Sequence, residues 1–231
     1  MLITLTTDFG YQDPFVGVMK GVIAAINPRS QVIDLTHGVP SQNILAAALT
    51  LQHSVRFFVD GSVHVVVVDP GVGSTRKPIL IEHEGSYFVG PDNGVLSLAL
   101  EGKVPDRIIE LTNAKYHLEQ VSNTFHGRDI FAPVAAHLSL GVAAAEFGKP
   151  LDTLVNLSMP QVLRRKNRLS GEIIYADRFG NRVHRLSLVA PEATRTVEPA
   201  EMPDELATVM VGAPDVAGAV VVDLHDELAE V

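Results

Sequence analysis

The 231-residue sequence carries a formal net charge of −9, is 46% hydrophobic and contains no cysteine. Disulfides, thiolate catalysis and zinc–thiolate sites are thereby excluded, and the negative balance argues against generic nucleic-acid binding. That charge is unevenly placed: residues 1–189 hold 17 acidic and 17 basic side chains, whereas residues 190–231 hold 10 acidic ones and Arg195 alone as a base.

In chain order, LITLT (2–6) reads as a strand, and PFVGVMKGVIAAI (14–26) as a helix opened by Pro14 in its first turn and stopped at Asn27-Pro28. QVIDL (31–35) is a second strand, and NILAAALTLQHSV (43–55) a helix with Ser41 as its expected cap. VHVVVVD (63–69) has the unbroken apolar character of a strand covered on both faces. PILIEHEGSYFV (78–89) reads as a hairpin turning at Glu84-Gly85, DNGVLSLAL (92–100) as a helix starting at Asp92, RIIEL (107–111) as a strand and RDIFAPVAAHLSLG (128–141) as a helix. Strands alternating with helices predict an α/β fold with a largely parallel sheet and helices on its faces.

After Pro150 the pattern changes. GEIIYADRFGNRVHRLSL (171–188) reads as two strands joined at residues 178–181, and ATVMVG and AVVVDL near the end as further strands. The expected division is an α/β N-terminal domain over 1–155 and a small β C-terminal domain over 160–231. No apolar run approaches the roughly 20 residues that span a bilayer. MLITLTTDFG also lacks the basic start and cleavage site of a signal peptide, so a soluble, cytoplasmic protein is expected.

In open α/β sheets, ligands bind outside the carboxyl ends of the strands. Asp8 follows the first strand, Asp34 and His37 end or follow the second, and Asp69 ends the valine strand, with Arg76 seven residues on. PDNG (91–94) adds Asp92 and Asn93, and TFHGRD (124–129) adds His126 beside Gly127, where a ligand can approach the backbone closely. The glycine pair in DPGVGSTR lacks the lysine and spacing of a phosphate loop. Each residue has a plain structural reading as well, Asp8 as a turn cap and His126 as a loop histidine; the combination is what points to chemistry.

That combination resembles a known family. TTDFGYQDPFVGVMKG, DLTH followed by PSQN, VVVVDPGVGSTR, PDNGVL, TFHGRDIFAPVAAHL and YADRFGN occur in the order and spacing of the S-adenosyl-L-methionine hydroxide adenosyltransferases, relatives of the enzymes that use fluoride or chloride on the same substrate. The resemblance spans residues 2 to about 183. It implies an α/β domain, a small C-terminal β-barrel, a homotrimer with sites between subunits, and hydrolysis of S-adenosyl-L-methionine to adenosine and L-methionine by attack of water on C5′. By the same resemblance, Asp69, Arg76 and His126 hold the reacting water, and Asp8 grips the ribose hydroxyls. Asp177, Phe179 and Asn181 meet the methionine part and the adenine, and Asn93, Phe125 and Gly127 complete the substrate contacts.

The residues support that chemistry in their own right. Expulsion of a thioether from a sulfonium needs no acid, whereas neutral water is a poor nucleophile; Arg76 can stabilise hydroxide character, Asp69 can orient it, and His126 can accept a proton near neutral pH. No metal or cofactor is demanded, and no nucleic acid or membrane partner is expected. The halide-using relatives lack an aspartate at the position of Asp69, whose charge would repel a halide, so the expected nucleophile is water. The family's Asn-Ser-x-Gly-x-Leu-Glu segment is not found, and the acidic residues 190–231 stand in its place. Two other readings remain: a binder of adenosine or S-adenosylmethionine without turnover, and a metal-dependent hydrolase with Asp8, Asp34, Asp69, Asp92 and His126 as ligands.

Overall fold

The computed structural model describes residues 1–158 except residue 101 and, beyond them, the backbone of the strands lying between residues 163 and 223. Tertiary contacts divide the chain into two units, Met1–Leu157 and Ser158–Val231.

The first unit is built on a seven-stranded sheet. Its strands are β1 (Leu2–Thr7), β2 (Gln31–Thr36), β3 (Val63–Val67), β4 (Pro78–His83), β5 (Ser86–Pro91), β6 (Arg107–Glu110) and β7 (Lys149–Pro150), in the order β2-β1-β3-β5-β4-β6-β7. Strands β2, β1, β3 and β5 run parallel, whereas β4 pairs antiparallel with β5 and β6, and β6 with β7. The sheet is therefore mixed rather than largely parallel. The cause is local: Glu84 and Gly85 both adopt positive φ, at 46° and 77°, and fold residues 78–91 back as a tight hairpin, so β5 needs no crossover helix.

Helices α1 (Phe15–Ile26) and α3 (Ala132–Ser139) pack Met19, Ile23, Val134 and Leu138 against Ile3, Leu5, Val63 and Val65 of the sheet. Helix α2 (Ile44–Val55) lies outside that cluster and buries Ala47, Ala48 and Leu51. With both faces covered, every residue of β3 is buried, as its valine run requires. Three expectations shift in detail. Asn43, not Ser41, caps α2 by accepting the Ala46 N–H at 2.9 Å. The segment 92–100 forms only a 3-10 turn at Ser97–Leu100, because Gly94 has φ of +95° and breaks the pattern. The helix expected at 128–141 splits into a π turn, Gly127–Phe131, and α3.

One buried histidine has a measurable consequence. His64 on β3 bonds Thr4 Oγ1 through Nδ1 at 2.9 Å and stacks on Phe88 at 5.2 Å. Burial lowers its pKa from 6.5 to about 4. Between those values the unfolded chain binds the proton and the folded one does not, so stability is complete above pH 6.5 and is lost as pH falls toward 4. At about 1.4 kcal/mol per pH unit, this histidine's share reaches about 3 kcal/mol. The drop in Tm between pH 7 and pH 5 should therefore be smaller in His64→Gln; equal drops would assign the acid sensitivity elsewhere.

In the second unit, β9 (Arg168–Ala176) pairs antiparallel with β8 (Leu163–Arg165), β10 (Arg182–His184) and β13 (Ala219–Asp223), while β11 (Ser187–Ala190) pairs with β12 (Ala193–Thr196). The expected hairpin after residue 171 corresponds to β9 and β10, and AVVVDL to β13. The expected strand ATVMVG lies outside the described residues.

Candidate active site

Strands β1 and β3 are paired so that Thr7 faces Val67, and each chain then runs off the same edge of the sheet. Asp8 and Asp69 therefore enter one region from neighbouring strand ends. A succession of turns follows Asp69: Val72 N–H donates to its carbonyl, Ser74 N–H and Oγ to the Gly71 carbonyl, and Arg76 N–H to Ser74 Oγ. The loop doubles back, and Arg76 meets the carboxylate that began it. Its Nε lies 2.8 Å and 3.0 Å from the two Asp69 oxygens, and its Nη2 also donates to Oδ2. The pair is buried, with side chains 8% and 5% exposed.

Arg76 Nη2 also reaches His126 Nδ1 at 2.9 Å. A guanidinium can only donate, so Nδ1 accepts and the ring proton of neutral His126 resides on Nε2. Burial and the adjacent Arg76 charge hold the His126 pKa below its ordinary value, against the opposing pull of Asp69 and Asp129. The imidazole is therefore neutral at pH 7. Arg76 is thus clamped between a carboxylate and a neutral histidine, with its flat face over the Phe131 ring at 5.4 Å.

The segment that carries His126 is fixed by a buried acid. Asp129, 0% exposed, accepts the Ser122 N–H and hydroxyl at 2.8 and 2.7 Å and the Arg128 Nε at 2.6 Å. Burial acts to raise its pKa, but Arg128 and Ser122 outweigh it and the carboxyl is held below its usual range. The π turn that follows places an extra residue in the helix start, a distortion that accompanies many functional sites. The loops of Asp69 and His126 are in direct backbone contact: Gly73 has φ of +76°, and a Cβ there would lie 2.3 Å from the Asn123 carbonyl oxygen.

Between these loops and the first strand lies a cleft of about 390 Å³, lined among others by Asp8, Phe9, Asp69, Phe125, His126 and Gly127. Asp8 accepts the Gln42 N–H at 2.8 Å, and Gln42 adopts a φ of +62°, uncommon for a residue with a side chain. Phe125 packs edge-on against Phe9 and Phe15, and Arg128 covers it at 5.1 Å. Gly127 is tightly packed, since a Cβ there would press on the Met19 and Phe125 side chains at 3.2 Å. Of the residues singled out in the sequence, the fold thus brings together Asp8, Asp69, Arg76, Phe125, His126 and Gly127.

Asn93, expected as a substrate contact, stands beside the end of β3. It is absent from the cleft lining, and its amide donates to the Val68 carbonyl and accepts the Val95 N–H, which buttresses the end of β3 just before Asp69. Asp177, Phe179 and Asn181 lie outside the described residues. The carboxylates of a metal site do not converge: Asp34 faces Lys20 and His37, Asp92 accepts the Val155 N–H, and among the described residues no three metal-ligating side chains form a group. Gln42, Asn123 and Asp129 were not assigned from the sequence. Only Asp129 carried a signal, as an acid at the head of an otherwise apolar helix.

Fold and cleft together define the class: an α/β protein with a small-molecule site at the carboxyl ends of its parallel strands. The chain belongs to the SAM hydroxide adenosyltransferases, whose N-terminal domain profile matches residues 3–148. It is 43% identical over 183 residues to an "(R)-S-adenosyl-L-methionine hydrolase" of Salinispora tropica, covering 78% of this chain and 69% of that one. A protein of the same name from Thermus thermophilus is 38% identical, over 77% of this chain and 71% of its own. Among solved structures, an uncharacterized conserved protein from Thermotoga maritima matches with a TM-score of 0.75 and 40% identity, over 81% of this chain and 72% of that one.

Proposed function

We propose that this protein hydrolyses S-adenosyl-L-methionine to adenosine and L-methionine. The observation that carries the reading is that Asp69 and His126 both line the cleft while Arg76 stands behind them, bonded to each. A water in the cleft between the carboxylate and the imidazole is oriented by both. As its oxygen bonds to C5′, the C5′–S bond breaks and methionine departs as a neutral thioether; the water's proton passes to Asp69 and then to solvent. His126 donates from Nε2 to the developing hydroxyl oxygen, because its Nδ1 is occupied by Arg76. Arg76 holds both Asp69 oxygens in place and, because the pair is buried, lends its positive potential to the site with reduced screening. The residues required are all side chains of this chain, and the step as written calls on no metal or cofactor.

The adenosine end falls to Asp8, whose carboxylate is already anchored by Gln42 and can accept the ribose hydroxyls in charge-assisted hydrogen bonds of about 1.5–3 kcal/mol each. Asp8→Ala should weaken adenosine binding at least tenfold by calorimetry, an effect of about 1.4 kcal/mol or more. Unchanged affinity would return Asp8 to the role of a turn cap. The methionine part and the adenine are assigned to Asp177, Phe179 and Asn181 of a barrel-like C-terminal domain, donated to a neighbour's site within a homotrimer. In support, Phe15 lines the cleft yet remains 41% exposed, as expected of a site closed by a further surface.

The direct test is incubation of purified protein with S-adenosyl-L-methionine and chromatography of the products. Equimolar adenosine and methionine, formed equally well with a strong chelator present, are expected. Tight binding without release of adenosine would instead establish a binding protein.

A further inference from the structure

We infer that His37, held by Asp34 and Lys20, is a positioning residue that holds the Asp8–Phe9 wall of the cleft through the main chain; this rests on the proposed adenosine site. His37 follows β2, its side chain is 0% exposed, and none of its atoms is needed for the chemistry described above. Its Nδ1 lies 2.8 Å from Thr7 Oγ1, at the last residue of β1. Thr7 Oγ1 in turn accepts the Phe9 N–H at 3.2 Å. The carbonyl of His37 accepts the Gly10 N–H at 2.8 Å, and the Tyr11 ring meets the imidazole edge-on at 5.2 Å. Contacts on Thr7, Gly10 and Tyr11 thus enclose Asp8 and Phe9, the two residues of this segment that line the cleft.

The other ring nitrogen sets the direction of the relay. Nε2 is 3.1 Å from Asp34 Oδ1, and although the pair is poorly aligned for a hydrogen bond, neither of these buried atoms has any other partner. Asp34 Oδ2 is 2.6 Å from Lys20 Nζ on α1. Burial acts to raise the Asp34 pKa, but Lys20 and His37 outweigh it and keep the carboxyl ionised. An ionised Asp34 favours the proton on Nε2, which leaves Nδ1 free to accept the Thr7 hydroxyl proton and leaves the Thr7 oxygen free to accept the Phe9 N–H. The Thr7 hydroxyl and the Phe9 N–H then each have an acceptor, and Nε2 faces the Asp34 charge. Gln42, five residues after His37, grips the Asp8 carboxylate itself, so the single loop that follows β2 holds both the backbone and the side chain of the adenosine contact.

The same chemical pair occurs three residues earlier on β1, which supplies a control. His64 bonds Thr4 through Nδ1 and is equally buried, but neither residue contacts the cleft. The experiment compares His37→Ala, Thr7→Val, His37→Asn and His64→Ala in the full-length protein by hydrogen exchange of the 8–11 peptide, adenosine calorimetry and steady-state turnover of S-adenosyl-L-methionine. His37→Ala and Thr7→Val should exchange the 8–11 amides at least tenfold faster, and raise the adenosine Kd and the KM about tenfold while kcat changes less than threefold. His37→Asn, which keeps an acceptor for Thr7, should recover most of the protection, and His64→Ala should leave the 8–11 amides and the KM as they are. Thr7→Val is nearly isosteric and decides the matter should His37→Ala not fold. Unchanged exchange at 8–11 in folded His37→Ala or Thr7→Val overturns the positioning role, as does an equal effect of His64→Ala. Exchange requires no turnover, so a wild-type protein that makes no adenosine would sink the hydrolase reading and leave this result standing on its own.

Discussion

Asp69→Asn and Arg76→Ala are each expected to lower kcat for adenosine formation by about 10²-fold or more, the usual scale for a positioned proton acceptor or an electrostatic group in a partly desolvated site. The two belong to one unit, so the double variant should be little worse than either single one. Arg76→Lys should not rescue, because a point charge cannot satisfy both Asp69 oxygens and His126 Nδ1 together as the guanidinium does. Arg76→Ala also leaves a buried carboxylate unpaired and should cost about 3–5 kcal/mol of stability by denaturant unfolding; Asp69→Asn keeps the shape and separates chemistry from folding. The role of His126 is settled by a pair of variants. Where Nδ1 is the acceptor that holds Arg76, His126→Asn preserves an acceptor near that position and should retain at least tenfold more kcat than His126→Ala. Equal losses would make the histidine the proton acceptor instead. In the wild type, turnover should stay level as pH falls through 6.5, because burial and Arg76 keep His126 neutral there. Near-normal turnover in all of these variants would remove the assignment altogether.

The second large effect is expected from a residue with no side chain. Gly73→Ala should reduce kcat by about 10²-fold, because a displacement of about 1 Å at reacting groups has an effect of that order. The added methyl would sit 2.3 Å from the Asn123 carbonyl oxygen, a backbone atom that cannot rotate away. The loop carrying Asp69 and Arg76 must then separate from the loop carrying His126, and the 2.9 Å contact between Arg76 and His126 is lost. The φ of +76° adds its own penalty for any side chain, so a control is needed. Gly61 has a comparable φ of +81° but open space around its Cβ position, and Gly61→Ala should lose stability without losing turnover. If both variants lose the same activity, backbone strain rather than loop contact explains Gly73.

Much of the fold was legible because burial leaves a pattern in the residues. The valine run of β3 announces a strand covered on both faces, and the spacing of Val16, Met19 and Ile23 announces the inner face of α1. The ordered motifs carried the site equally far: Asp8, Asp69, Arg76 and His126 were all named from their places after strands or before a helix. What escaped was decided by geometry that period and composition do not encode. The hairpin at Glu84-Gly85 was legible, but that it sets β4 antiparallel between β5 and β6 and makes the sheet mixed was not. Asn93, in a turn motif that looks like a ligand, spends its amide on the Val68 carbonyl.

The α/β class, the order of the elements, the family and the chemical groups available to the chain are carried by local pattern and residue identity. Which nitrogen of His126 is engaged, that Arg76 stands behind Asp69, that Gly73 abuts Asn123, and that His37 braces the segment carrying Asp8 become visible in the folded chain alone. Such facts join residues 7 and 37, 76 and 126, or 73 and 123, and they arise where separate loops are brought to one edge of a sheet. A hydrogen bond depends on ångström-scale placement, and that placement is set by packing across the whole domain rather than by any stretch of chain that can be read alone.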